Sequence, residues 1–261
     1  MLVDFNKKGT VILTHYRSGG TQLRSVIDGA IRQYKRVTNN VGEVDIDFNS
    51  IDLDNQLEYI FHPPEGEYSI IQLNNPHTIA YLVASNRFKE LLDLYHFVHV
   101  ERRNKENCVL SLPLWEQFIH AGLYEDYDLW TEENMRNFHN ELIEKPIGFN
   151  KVYLGNHLPL TIDVRCNPYE YLNLTLTYFV SHINLLRKLT SDFKIHSLEY
   201  EVYEEDCTVL HQIYFQDIAN EQFLKYLKDR NKKIPYIEKE YVKYYDNKTQ
   251  EVFKLWNLNN V

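Results

Sequence analysis

Arg17, Ser18, Gly19, Gly20 and Thr21 stand consecutively inside VILTHYRSGGTQL (residues 11–23), placing one cation, two hydroxyls and two glycines between a run of β-formers and a helical pattern. The chemistry these types can do together is to hold an anion. Glycine lets a chain turn tightly and bring its backbone close to a ligand. A helix starting near Gly20 would point its unpaired N–H groups back at the turn, and its dipole would add roughly 0.3–1 kcal/mol of attraction for negative charge. Arg17 supplies a full cation, and Ser18 and Thr21 supply hydroxyl donors. For this stretch alone the alternative is a capped helix after a glycine turn, with Arg17 solvated. The Walker A pattern G-x-x-x-x-G-K-[ST] is absent, which disfavours a magnesium-dependent nucleotide hydrolase or kinase of the usual type.

A second stretch, FVHVERRNKENCVLSL (residues 97–112), also runs from a strand pattern into a helical one. Arg103 stands at the strand end and Ser111 eight positions later. If Asn104 caps the helix, Ser111 lies about two turns in, where arginine and serine could grip one phosphate together. The alternative is that Arg102 or Arg103 pairs with Glu106 and that Ser111 precedes a helix disturbance at Pro113.

Both stretches need elements to carry them. Thr10 to Thr14, Tyr68 to Leu73, His96 to Glu101 and Phe193 to Tyr200 read as strands. Leu23, Val26, Ile27, Ala30, Ile31 and Tyr34 recur at helical spacing and define one apolar stripe; Ile79 to Leu94 and Tyr169 to Leu189 recur similarly, with Pro168 suited to a first helical turn. Strands separated by helices imply parallel pairing with right-handed crossovers, hence a three-layer α/β fold with ligands at the carboxyl ends of the strands. With no internal repeat, low-complexity tract or Gly/Ser linker, residues 1–261 are expected to form a single domain, with an amphipathic helix over about 237–257 covering the core or a partner subunit. A homodimer is left open.

Composition narrows the partners. A net charge of -9 argues against a general nucleic-acid binder, although a local basic pocket is compatible with it. Three cysteines, far apart and without a C-x-x-C pair, suggest neither a disulfide framework nor a zinc site. No signal peptide and no membrane span is expected, so the expected location is the cytoplasm. The 20 tyrosines are expected on half-buried faces as amphipathic residues, in preference to a base-stacking platform. The patterns H-E-x-x-H, G-x-S-x-G and G-x-G-x-x-G are all absent, and His96 and His99, three apart on a strand, face opposite sides.

Taken together, the first two stretches resemble the PAPS-dependent sulfotransferases, PAPS being 3'-phosphoadenosine 5'-phosphosulfate. Their early strand–loop–helix, of the form [KR]-[ST]-G-[ST]-T, receives the 5'-phosphosulfate, and Arg17 to Thr21 match it at four of five positions. Gly20 departs from it, which shifts one phosphate contact to backbone N–H or to Gln22. Their second motif, a strand-end arginine with a serine eight residues on, binds the 3'-phosphate; the match is Arg103 and Ser111, as in the bacterial-type members with paired arginines. Residues 195–218 resemble more weakly a late Y-E-x-L strand and helix. The resemblance spans about residues 10–218 and implies a P-loop-like fold, PAPS as donor, adenosine 3',5'-bisphosphate as product and no metal.

It also implies a base for the acceptor proton. Some members carry a K-x-H segment on the strand before the 3'-phosphate motif; IIQLNNPH (residues 70–77) has Gln72 and Asn74 there, with His77 close by. Others use a glutamate after the first helix, for which NNVGEVDIDF (residues 39–48) offers Glu43. Glu43 is preferred, with Asp45 and His77 behind it; a solvated acidic face of a short strand, made by Glu43, Asp45 and Asp47, is the other reading. Arg230, Lys232 and Lys233 are minor candidates for the 3'-phosphate. EYIFHPPEGEY (residues 58–68) reads as a loop. The functional expectation is a sulfuryl transfer to a hydroxyl or amine of a small-molecule or sugar acceptor. The alternative is a non-catalytic P-loop-like protein that binds a nucleotide or a partner.

Overall fold

The computed structural model describes residues 2–34, 36–47, 50, 52–123, 129, 131–148, 168–204, 206, 208–210, 221, 224, 225, 227 and 240–261. They belong to two compact units: residues 1–102 with 184–232, and residues 103–183 with 233–261.

The first unit holds an all-parallel sheet of five strands: β1 (Gly9–Thr14), β2 (Thr38–Glu43), β3 (Tyr68–Leu73), β4 (His96–Glu101) and β5 (His196–Glu199), in the order β2-β3-β1-β4-β5. The register sets Thr10 beside Ile70 on one side and His96 on the other. Alternation along each strand then sorts side chains between the two faces. Ile12, Ile70, Val98 and Leu198 face α1 (Gly20–Gln33), whose inner stripe is Leu23, Val26, Ile27, Ala30 and Ile31, as its spacing predicts. Val11, Leu13, Ile71, Leu73 and Phe97 face the other way. They pack with α2 (Glu58–Phe61), α3 (Pro76–Ala84), α4 (Arg87–Leu94) and with Leu186 and Leu189. Helices thus flank both faces of a parallel sheet, the α/β class expected. Because β1 feeds toward β3 and β2 while β4 feeds toward β5, the order reverses between β1 and β4, where open parallel sheets bind ligands.

The second unit is helical: α5 (Lys105–His120), α6 (Glu132–Glu144), the Pro168–Ile183 part of α7 (Pro168–Asp192), and α8 (Asn247–Trp256). Its core joins Leu114, Phe118, Phe138, Leu172, Phe179 and Phe253.

The structure corrects five boundaries. The strand expected over Phe193–Tyr200 is only His196–Glu199, because Lys194 takes a left-handed backbone (φ 52°) before it and Tyr200 opens a tight helical turn after it. The stripe over Ile79–Leu94 belongs to two helices, α3 and α4, because Asn86 takes a left-handed backbone (φ 64°) between them. The loop expected over residues 58–68 begins as the helical turn α2, since the helix breakers Pro63, Pro64 and Gly66 all lie after it. The helix expected over 237–257 is, in its described part, a short turn at Tyr241–Tyr244 followed by α8, which Asp246 caps by accepting from Thr249 N–H at 2.8 Å. Pro113 does not end α5, which continues to His120. Among the described tyrosines, Tyr68, Tyr95 and Tyr245 bury their rings and satisfy their hydroxyls on Thr10, the Ile60 carbonyl and the Leu110 carbonyl. These three go further than the half-buried faces expected: the ring is wholly in the core and only the hydroxyl keeps a polar partner.

No helix among the described residues is long and apolar enough to cross a membrane.

Candidate functional site

The β1–α1 loop stands at the carboxyl edge of the sheet. β1 is buried along its whole length, so the chain arrives at Thr14 fixed, and the next five residues must reverse it into α1. Two left-handed residues make the turn: Arg17 at φ 55° and Gly19, the N-cap, at φ 87°. For Gly19 the conformation is free, whereas for arginine it costs roughly 1–2 kcal/mol. No side chain caps α1, so the first-turn N–H groups depend on what lies in front of them.

Packing explains both glycines. A Cβ on Gly19 would fall 2.0 Å from Cδ2 of the Tyr200 ring, so the aromatic ring lies directly on the N-cap. A Cβ on Gly20 would fall 2.9 Å from the Thr14 methyl and 3.0 Å from Nε2 of Gln72. The Gln72 amide occupies the space that a side chain at residue 20 would need. Gly20 and Gln72, two positions where the chain departs from the motif, therefore touch each other.

Ser18 is 1% exposed; its hydroxyl donates to the His15 carbonyl at 2.7 Å and is bonded to Thr14 Oγ1, so it serves the turn itself. Thr21 and Arg17 are exposed, and Thr21 Oγ1 lies 3.5 Å from the Gln72 carbonyl oxygen, to which it donates. Gln72 Nε2 in turn donates to Glu43 Oε1 at 3.3 Å. A polar relay thus runs from the first turn of α1 through the buried Gln72 to the carboxylate at the end of β2. Glu43 is exposed, as a group that meets a ligand must be.

On the β4 side the loop is clamped. Arg102, 6% exposed, donates from Nη1 to the Arg17 carbonyl at 3.2 Å and from Nη2 to Glu204 Oε1 at 3.2 Å, with its guanidinium 4.9 Å from the Tyr200 ring centre. Tyr203 donates from its hydroxyl to the Gly19 carbonyl at 3.3 Å, and Gln22 Nε2 donates to the Tyr203 carbonyl at 3.4 Å. The turn at Tyr200–Val202, directly after β5, is therefore tied across the loop. Sequence reasoning saw Arg102 only as a partner for Glu106, and did not find Tyr200, Tyr203 or Glu204. The signal available was thin: a buried arginine needs an acid, and the acidic run from Glu199 to Glu204 offers several.

The remaining candidates take other positions. His77 stands in the first turn of α3, half-buried, and burial pushes its pKa below the ordinary histidine value. Asn75, before it, caps α3 by accepting from the N–H groups of His77 (2.9 Å) and Thr78 (3.3 Å). Asn74, one residue past β3 and 3% exposed, has an Oδ1 without a partner among the described residues. Asp45 is exposed beyond β2; after burial, its charge is the second cause of the raised Tyr59 pKa.

In the second unit, Asn104 caps α5 as expected, accepting from Asn107 N–H at 3.0 Å. Arg103 precedes the cap and is exposed; Ser111 sits two turns into α5, 7% exposed, and donates to the Cys108 carbonyl at 3.2 Å. The structure thus brings Arg17 to Gln22 together with Glu43 and Gln72 in one unit, and places Arg103 and Ser111 on one helix entry in the other. Arg230, Lys232 and Lys233 lie outside the described residues. Among those described, no group of three or more His, Cys, Asp and Glu side chains could hold a metal ion.

The arrangement offers backbone N–H groups and a cation at a helix start, with a carboxylate linked to them through one amide. That suits binding an anion beside a group that loses a proton. Comparison with protein-family models and with curated proteins found no match for this chain.

Proposed function

We propose that the protein transfers a sulfuryl group from PAPS to a hydroxyl or amine of a small-molecule or sugar acceptor. The observation that carries this reading is the relay Thr21–Gln72–Glu43, which links an exposed carboxylate to the first turn of α1. In the proposed step the acceptor oxygen attacks sulfur in line, the bond from sulfur to the bridging oxygen breaks, and adenosine 3',5'-bisphosphate leaves. Glu43 takes the proton of the acceptor, while Arg17 and the Gly19 to Gln22 amides offset charge growing on the departing 5'-phosphate. Arg103 and Ser111 take the 3'-phosphate, as the resemblance implies. His77 and Asp45 are the reserve candidates for the base.

Turnover of sulfur-labelled PAPS across a panel of hydroxyl and amine acceptors tests the reading. Glu43→Gln should lower kcat by roughly 100-fold or more, the range expected for a general base. It should leave adenosine 3',5'-bisphosphate binding within two-fold. A glutamine at this position keeps an oxygen for the Gln72 amide, so the relay survives the change.

The second reading, a non-catalytic nucleotide- or partner-binding protein, draws on Gln72 and Asn74 standing where a K-x-H segment would place lysine and histidine. Bisphosphate binding with no labelled product on any acceptor would select it.

A further inference from the structure

Arg24 stands one turn into α1 and reaches sideways to β2. A Cβ on Gly42 would lie 3.1 Å from its Nη1, and Gly42 itself is left-handed (φ 83°) at a bulge where the β2–β3 register shifts. An L-residue with a side chain at position 42 would be strained and would press on the guanidinium. The bare Gly42 thus leaves room for the Arg24 guanidinium against the strand, one residue before Glu43. Its Nε is buried and has no partner among the described residues, and no ion pair joins Arg24 to Glu43. The acid one turn along, Asp28, is already committed: it accepts from Arg32 Nε at 3.0 Å and from Thr38 Oγ1 at 2.5 Å.

An arginine cannot shed its charge, and its planar fork matches carboxylate, phosphate and sulfate groups bidentately. Arg24 lies against Gly42, the residue before the carboxylate assigned to the acceptor proton, on the flank of the loop away from the Arg102 clamp. The chain after Gly42 is acidic, with Glu43 and Asp45 both exposed. A negatively charged acceptor would be repelled there unless a cation met it.

We propose that Arg24 binds an anionic group carried by the acceptor, so that the favoured substrates are hydroxylated anions such as hydroxy acids, uronates or phosphorylated or sulfated sugars. The inference rests on the sulfuryl-transfer reading for the word acceptor, and on the Gly42 notch for the anion.

The test uses matched pairs, hydroxybenzoate with phenol and glucuronate with glucose, titrated into the full chain with and without saturating adenosine 3',5'-bisphosphate. Binding is read by calorimetry and by the Nε–H resonance of Arg24, identified by its loss in Arg24→Lys. The anionic member of at least one pair should bind ten-fold or more tightly than its neutral partner and shift that resonance. Arg24→Gln should bring the two within two-fold while changing bisphosphate affinity less than two-fold. Equal binding of both members in every pair would overturn the proposal, as would a preference that survives Arg24→Gln. A loss of bisphosphate affinity beyond ten-fold in Arg24→Gln would overturn it too, by assigning the residue to the donor. If the bisphosphate does not bind the unaltered chain but Arg24 still answers to the anion, the transfer reading fails and the Arg24 site stands.

Discussion

The β1–α1 loop carries an arginine on each flank, and the two are held in opposite ways. Arg102, at the tip of β4, has a carboxylate, a backbone carbonyl and an aromatic face around it. Arg24, on the β2 side, lies with its guanidinium against Gly42, and no carboxylate, carbonyl or ring holds it among the described residues. The first arrangement is what a chain does to fix a strained turn: the cation holds Arg17 in its left-handed conformation and ties residues 200–204 down on Gly19. The second is what it does to keep a cation available. Partnering, more than charge, is what distinguishes the two arginines at this edge of the sheet.

The comparison can be broken by substitution, and the largest effect should come from the clamp itself. Gly19→Ala forces a Cβ into the Tyr200 ring and a side chain into φ 87°, so denaturant unfolding should show a loss of about 3 kcal/mol or more. Bisphosphate binding should disappear with it.

His99 sharpens the contrast from the other face of the sheet. Its Nε2 is also without a partner among the described residues, while Nδ1 lies 3.2 Å from Ser197 Oγ. Unlike arginine, it can discharge: burial lowers its pKa from 6.5 to about 4. The unfolded chain then binds a proton at higher pH than the folded one. The stability contribution is complete above pH 6.5 and is lost as pH falls from there to about 4, to a total of about 3 kcal/mol. In His99→Gln the slope of unfolding free energy against pH over that window should flatten.

Arg102→Met should cost about 2 kcal/mol, because it strands Glu204. The figure sits low for a broken buried pair, since the Glu204 side chain keeps 19% exposure. Arg24→Met removes no partner, and chemical denaturation should place it within about 0.5 kcal/mol of the unaltered chain. Similar losses for the two arginine variants would erase the distinction drawn between the flanks.

How far the sequence disclosed this depends on which residues one asks about. β1, β3 and β4 are runs of β-formers whose interiors are buried on both faces, so composition alone marks them. β2 is hidden because TNNVGE is an edge strand with two asparagines and a glycine, and its residues are nowhere fully buried. The apolar stripe of α1 and the Asn104 cap are local patterns, and both were legible. Gln72, Arg102 and Arg24 were not, since each owes its role to a residue far along the chain: Glu43 and Thr21, Glu204, and Gly42. A glycine spaced 18 positions from an arginine carries no signal until the sheet brings them together. The break between α3 and α4 escaped for a different reason, because the apolar recurrence runs unbroken through Asn86 while the backbone does not.

The most direct measurement of the central claim, that the loop at the tip of β1 holds the 5' end of a doubly phosphorylated nucleoside, is a calorimetric titration with adenosine 3',5'-bisphosphate beside ADP and ATP. Saturable binding of the bisphosphate alone, weakened at least ten-fold by Arg17→Ala with the fold intact by circular dichroism, is the predicted result. Equal heats for all three nucleotides, or bisphosphate binding that Arg17→Ala leaves untouched, would contradict it.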